Sequence, residues 1–163
     1  KVEGATKAEM IDTYIENLAF TCDLFRDSAV TVLAETVSDF MFPGYLLNSL
    51  ETTMAVIDRV GRPNLKLEFD FFHIQLLHGN LIGNVDRYFH RIGYYQIANP
   101  PGRHQPGSGE IDFRYVLGHV EAKGYDGFVG LEYDPEGPSQ DWFQWITDLR
   151  LRHKECETPG PDG

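Results

Sequence analysis

The stretch Leu65-Lys-Leu-Glu-Phe-Asp-Phe-Phe-His73 decides how the rest of this chain is interpreted. It predicts a buried strand over residues 65–71 that presents an acid, Asp70, followed by a histidine, His73. Three other strand-like segments end in the same way, on a side chain able to bind a hard metal ion or a sugar-like substrate. The sequence therefore indicates a repeated unit that places polar groups at the ends of strands.

The chain alternates helical and strand patterns along its length. Apolar residues at helical spacing predict helices, and short β-branched apolar runs predict strands covered on both faces. The predicted helices are 7–26, 48–60, 84–91, 112–124 and 139–152, and the predicted strands are 29–35, 65–71, 92–99 and 127–133. Such alternation without hairpin signals predicts parallel strands joined by crossover helices.

Four strand–helix units fit two α/β architectures, namely half of an eight-unit β/α barrel or a small open doubly wound sheet. The glycine-rich nucleotide-binding fingerprint of doubly wound folds is absent after the first strand, which favours the barrel. We therefore predict a TIM half-barrel domain over residues 1–153, the second half of a (β/α)8 barrel, and a flexible tail over 154–163. Because the chain starts at Lys1 without Met, we expect the other four units to precede it.

Composition excludes several classes of protein. A net charge of −11 argues against a nucleic-acid partner and an anionic membrane surface, since both require a positive face. No apolar run approaches the roughly 20 residues that span a bilayer. Cys22 and Cys156 form no paired motif, which argues against a disulfide framework and favours a reducing compartment, the cytoplasm.

Four oxygen-bearing side chains fall at the carboxyl ends of the predicted strands: Glu35, Asp70, Gln96 and Glu132. They are spaced by about one strand–helix repeat, so a barrel would bring them to one rim, where its chemistry collects. Three carboxylates and an amide oxygen suit Mg²⁺ or Mn²⁺ better than zinc. Without a cation the acids would repel one another and raise each other's pKa.

Each of these residues also has a purely structural interpretation. Glu35 and Glu132 could be ion-paired with lysine or arginine, and Asp70 could cap the turn after its strand. Gln96 could be a hydrogen-bonded core amide, and His73 a satisfied core histidine. Arg103, in the Gly/Pro-rich loop 100–109, is either a solvated charge or a clamp for a substrate carboxylate, which a planar guanidinium fits.

Three segments of the chain are distinctive enough to compare with known families: Asn64-Leu-Lys-Leu-Glu-Phe-Asp-Phe-Phe-His73, Gln96-Ile-Ala-Asn-Pro-Pro-Gly-Arg-His-Gln-Pro-Gly-Ser-Gly-Glu-Ile111 and Gly124-Tyr-Asp-Gly-Phe-Val-Gly-Leu-Glu-Tyr133. They resemble the hydroxypyruvate isomerase family, which belongs to the xylose-isomerase-like barrels. The long Pro-Gly-Arg-His-x-Pro-Gly-x-Gly-Glu-Ile loop is the most specific of the three. The resemblance runs over roughly residues 11–147 and covers the second half of the family's barrel.

The resemblance implies a metal-dependent isomerase acting on a small hydroxy-oxo acid. It implies that hydroxypyruvate is converted to 2-hydroxy-3-oxopropanoate through an enediolate. Glu35, Asp70, Gln96 and Glu132 match the family's metal-binding positions, with Glu35 and Glu132 also matching its acid–base pair. His73 and Arg103 match positions that contact substrate in related isomerases and epimerases.

This sequence departs from the family pattern after the first glutamate. The family usually shows Glu-Pro-x-Asn and then an arginine, whereas this chain has Glu35-Thr-Val-Ser-Asp-Phe40. Two alternatives stay open: a ketose 3-epimerase on the same barrel, and a truncated fragment that is inert by itself. In the latter, unpaired edge strands favour association, so a homo-oligomer is also expected.

Overall fold

The computed structural model describes residues 4–148 of the chain. Helices are α1 (Lys7–Leu24), α2 (Leu50–Val60), α3 (Phe71–Leu77), α4 (Leu81–Tyr88), α5 (Phe113–Ala122) and α6 (Gln144–Asp148). Strands are β1 (Val32–Glu35), β2 (Leu65–Asp70), β3 (Ile92–Ile97) and β4 (Val129–Leu131). Single 3₁₀ turns occupy Phe89–Arg91 and Ser139–Asp141.

The four strands form one parallel sheet in the order β1-β2-β3-β4. In a doubly wound sheet the strand order reverses at a switch point. Here every strand lies beside its predecessor in the sequence, which is the order of a barrel. The predicted four-unit β/α half-barrel is confirmed, with β1 and β4 as the two edges of the sheet.

The two faces of the sheet differ because side chains alternate along each strand. In β2, Leu65, Leu67 and Phe69 are buried beneath the helices, whereas Lys66 and Glu68 on the opposite face are half-buried. Phe69, Phe71 and Tyr95 pack as a cluster of rings with centroids 5.2–5.8 Å apart. The hydrophobic core therefore lies between the sheet and the helices, and the other face corresponds to the inside of a barrel.

Several element boundaries differ from the sequence prediction. β1 begins at Val32 rather than at residue 29, and β4 covers only Val129–Leu131. The helix α3 follows β2 without a loop, because Asp70 ends the strand and its side chain also accepts from Phe72 N–H at the first turn of the helix. The end of the predicted helix 139–152, the domain boundary at residue 153 and the tail lie outside the described residues.

Among residues 4–148, no helix has both the length and the apolar character required to cross a bilayer.

Candidate functional site

The carboxyl edge of the sheet carries the polar residues that the sequence places at strand ends. Glu35 is the last residue of β1, Asp70 is the last of β2, and Gln96 is the penultimate residue of β3. Asp70 and Gln96 are register partners on neighbouring strands, so their side chains leave the same face side by side. Glu132 follows β4 directly.

Asp70 is completely buried, and its two carboxylate oxygens have different surroundings. Oδ1 accepts a hydrogen bond from the backbone N–H of Phe72 at 2.8 Å and caps α3. Oδ2 has no hydrogen-bond partner among the described residues and lies 3.8 Å from His73 Nε2. Asp70 is therefore both a helix cap and a polar group aimed at the sheet edge.

Three of the four strand-end residues carry a buried oxygen without a hydrogen-bond partner in the described part of the chain. These atoms are Glu35 Oε1, Asp70 Oδ2 and Gln96 Oε1. Buried polar atoms without partners are rare, because each costs about 1–3 kcal/mol when left unpaired. The oxygens belong to the residues predicted to hold a divalent cation, and their chemistry suits one.

The surroundings of the two buried acids disfavour negative charge. Burial, together with the neighbouring acids Glu68, Asp70 and Glu132, raises the pKa of Glu35 to about 8. Burial likewise raises the pKa of Asp70 to about 7, against the hydrogen bond from Phe72. One ligand atom each from Glu35, Asp70 and His73 lies within 4.8 Å of the other two. A divalent cation at this position would offset the repulsion between the acids.

His73 is almost fully buried and is held from behind by Ser38. The Ser38 backbone N–H donates to His73 Nδ1 at 3.3 Å, so in the neutral ring the proton lies on Nε2. Nε2 lies 3.8 Å from both Glu35 Oε1 and Asp70 Oδ2. Burial, with the nearby charge of Arg103, lowers the pKa of His73 to about 4, which keeps the ring neutral. In this tautomer His73 presents an N–H to the site.

Arg103 is paired with Glu132. Arg103 Nη2 lies 2.8 Å from Glu132 Oε2, and Arg103 Nε donates to the main-chain oxygen of Glu132 at 3.3 Å. The guanidinium lies 5.4 Å from the ring centroid of Phe72. The Glu132 carboxylate is not part of the group formed by Glu35, Asp70 and His73, whose ligand atoms lie within 4.8 Å of one another.

Two residues at the site were not identified from the sequence. Glu68 is the register partner of Glu35 and contributes to raising the pKa of the Glu35 carboxyl group. The alternation of β2 contained this signal, because Glu68 is two residues before Asp70 and so shares its face. Ser38 carried no comparable signal, since its contact with His73 joins the loop after β1 to the first turn of α3, 35 residues away.

Comparison with protein-family models matches residues 1–149 to the family described as Xylose isomerase-like TIM barrel. The chain belongs to this family. It is 38% identical over 145 residues to the putative hydroxypyruvate isomerase of Mus musculus, covering 88% of this chain and 52% of that protein. It is 36% identical over 145 residues to the 2-oxo-tetronate isomerase of Haemophilus influenzae, covering 87% and 56% respectively. The resemblance identified from the sequence is thereby confirmed.

A solved structure described as AP endonuclease, family 2, from Brucella melitensis matches the fold with a TM-score of 0.85 and 31% identity. The match covers 90% of this chain and 57% of that structure. The chain thus spans about half the length of the relatives that it matches. This share agrees with four strand–helix units of an eight-unit barrel.

Proposed function

We propose that this chain carries the metal- and substrate-binding edge of a divalent-metal-dependent isomerase that acts on small hydroxy-oxo acids. The observation that carries the proposal is the set of buried, unpartnered oxygens on Glu35, Asp70 and Gln96. Relatives named hydroxypyruvate isomerase and 2-oxo-tetronate isomerase support the choice of reaction. The proposed reaction converts hydroxypyruvate to 2-hydroxy-3-oxopropanoate.

Glu35, Asp70, Gln96 and Glu132 are the proposed ligands of Mg²⁺ or Mn²⁺. All four offer oxygen donors, which these hard cations prefer. The cation supplies positive charge that offsets the negative charge developing on substrate oxygens during isomerisation. Oε2 of Glu132 is paired with Arg103 Nη2 at 2.8 Å, so this oxygen would leave the ion pair to join the ligand set.

The isomerisation itself is a proton relocation within a three-carbon acid. One proton leaves C3, another is added at C2, and the hydroxyl hydrogen passes from O3 to O2, so the composition is unchanged. We assign the carbon-bound proton transfers to the acid–base pair Glu35 and Glu132. We assign to His73 a hydrogen bond from Nε2–H to a substrate oxygen, which its 3.8 Å distance from Glu35 Oε1 supports.

Arg103 is the proposed binding group for the substrate carboxylate. Its side chain is 13% exposed, and a guanidinium that is largely shielded from water binds a carboxylate more strongly than a solvated one. A neutral ketose has no carboxylate for this position. Arg103 therefore favours an acid substrate over the ketose 3-epimerase alternative.

The test is turnover of hydroxypyruvate by this chain and by the same chain joined to the N-terminal barrel half of a relative. We expect activity with Mn²⁺ or Mg²⁺, loss in EDTA, and a decrease of at least about 100-fold in Glu35→Gln, consistent with loss of an acid–base group. Arg59→Met, on an exposed ion pair with Asp12, is the matched control. Undiminished activity after chelation would falsify the metal-dependent mechanism, and activity of the joined form alone would identify this chain as an inert fragment.

A further inference from the structure

We propose that Glu132 occupies the binding position of the substrate carboxylate on Arg103, so that capture of a carboxylate releases Glu132 to the metal. This inference rests on the proposed function and adds a coupling between its two binding steps. It predicts that metal and carboxylate bind cooperatively. A substrate without a carboxylate would leave Glu132 paired.

The first step of the argument is that Arg103 is fixed. Its backbone has a φ of 62°, and its carbonyl oxygen accepts from Asp134 N–H at 2.8 Å. The next residue, His104, is bridged to Asn99 by two backbone hydrogen bonds of 2.8 and 3.2 Å. The guanidinium lies over the Phe72 ring, whose side chain is fully buried. The loop and the ring therefore hold the cation at one place.

The second step is that Glu132 is the movable partner. Its side chain is 47% exposed, against 13% for Arg103, and it lies immediately after the short strand β4. Its main-chain oxygen accepts a hydrogen bond from Arg103 Nε at 3.3 Å, a contact that does not involve the carboxylate. A rotation of the Glu132 side chain can thus break the ion pair without disturbing the loop.

The third step concerns charge. The charges of Arg103 and Glu132 both act on Glu35 and Asp70, with opposite signs. Glu132 and Arg103 therefore lie within electrostatic range of the proposed ligand atoms. A carboxylate that binds Arg103 competes with Glu132, and a cation that binds Glu132 competes with Arg103. Each competition favours the other partner's binding, since coupling between two sites is reciprocal.

A double-mutant cycle on Mn²⁺ affinity tests the competition directly. Mn²⁺ alone is titrated into the wild-type chain, Glu132→Gln, Arg103→Met and the double variant, and free Mn²⁺ is followed by electron paramagnetic resonance. Removal of the Arg103 charge strengthens Mn²⁺ binding even if Arg103 and Glu132 do not compete. Without competition, however, the effects of Arg103→Met and Glu132→Gln on the binding free energy would simply add. We expect the loss of affinity caused by Glu132→Gln to be about three- to tenfold larger in the Arg103→Met background.

Additive effects of the two substitutions would overturn the inference while leaving the metal site intact. Failure of every variant, including the wild type, to bind Mn²⁺ would overturn the proposed metal dependence together with this coupling. Arg103→Gln repeats the cycle if Arg103→Met does not fold, and near-ultraviolet circular dichroism checks each variant. Arg59→Met serves again as the control at a distant ion pair.

A second titration tests the role of the substrate carboxylate. Mn²⁺ affinity is measured with hydroxypyruvate and with dihydroxyacetone, which has the same carbon count and adjacent oxygens but no carboxylate. We expect hydroxypyruvate to strengthen Mn²⁺ binding more than dihydroxyacetone does, and this difference to shrink in Arg103→Met but not in Arg59→Met. A difference of equal size in all three proteins would show that the carboxylate acts without Arg103 and would overturn the exchange.

Discussion

The two buried acids, Glu35 and Asp70, and the buried His73 make opposite contributions to the pH dependence of stability. The pKa values of Glu35 and Asp70 are raised to about 8 and about 7. Between the ordinary and the raised pKa of each acid, the folded chain holds more protons than the unfolded chain. Stability therefore falls as the pH rises through the raised pKa values. The pKa of His73 is lowered from 6.5 to about 4, so its contribution rises with pH within that window. Above pH 6.5 the contribution of His73 levels off, and that of the two acids dominates.

We therefore expect the free energy of unfolding, measured in urea with EDTA present, to decrease as the pH is raised from 6.5 to 8. Glu35→Gln should flatten this dependence, because the neutral amide has no proton to lose. Asp58→Asn, an exposed partner of Arg91, is the control and should keep the wild-type slope. A wild-type stability that rises over the same interval would contradict the raised pKa of Glu35.

Tyr95 offers a separate prediction about a buried hydroxyl group. Its ring is fully buried against Phe69, Phe71 and Tyr125, and its Oη has no hydrogen-bond partner among residues 4–148. Tyr95→Phe removes that unpaired group and keeps the ring packing. We expect the free energy of unfolding to stay unchanged or to rise by up to about 1 kcal/mol. A loss above about 1 kcal/mol in urea unfolding would show that the hydroxyl has a partner.

At the scale of elements, a pair of threonines connects the end of β1 to α2. Thr36 Oγ1 donates to Thr53 Oγ1 at 2.7 Å, and Thr53 Oγ1 donates to the Ser49 carbonyl oxygen at 3.0 Å. Both threonines are completely buried. Thr36 occupies the position at which the hydroxypyruvate isomerase family usually has proline. In this chain the hydrogen bond between the two threonines holds the segment that follows Glu35 against α2.

Thr53→Val should destabilise the chain by about 1–3 kcal/mol, because it leaves the buried Thr36 hydroxyl without an acceptor. Thr36→Val in addition removes that orphaned donor, so the double variant should lose less than the sum of the single losses. Urea unfolding of the four proteins measures this. Strict additivity would mean that the two hydroxyl groups do not interact.

The sequence predicts the order and type of most elements because the periods of apolar residues differ between helix and strand. It misses α3, since Phe71, Phe72 and Ile74 are all buried and a short apolar run looks the same in a strand and in a helix. It extends β1 to Ala29–Thr31, whose β-branched residues are in fact exposed.

The part of the site that lies at strand ends could be predicted from the sequence. Glu35, Asp70 and Gln96 could be selected because parallel strands end at one edge. The ion pair between Arg103 and Glu132 could not, because it joins two loops 29 residues apart through side-chain geometry. The tautomer of His73 depends in the same way on a contact with Ser38 across 35 residues.

For the whole molecule, a net charge of −11 and a sheet edge rich in acids predict that a divalent cation stabilises the fold. Glu35, Asp70 and Gln96 are held together only in the folded chain, so metal binding adds its free energy to folding. At a free Mn²⁺ concentration about 100 times Kd the gain is about 2.7 kcal/mol. For a chain of this length that corresponds to an increase in Tm of about 5–10 °C.

Differential scanning calorimetry with Mn²⁺ and with EDTA measures this increase. Asp70→Asn should abolish it, because it replaces a buried ligand charge with a neutral amide, whereas Asp58→Asn on the exposed surface should retain it. If Mn²⁺ acted only by screening the acidic surface, it would raise Tm equally in both variants. Ca²⁺ or moderate NaCl would then raise Tm by a similar amount. An equal shift in Asp70→Asn would therefore place the bound cation away from the strand ends, because the buried Asp70 carboxylate could not then be among its ligands.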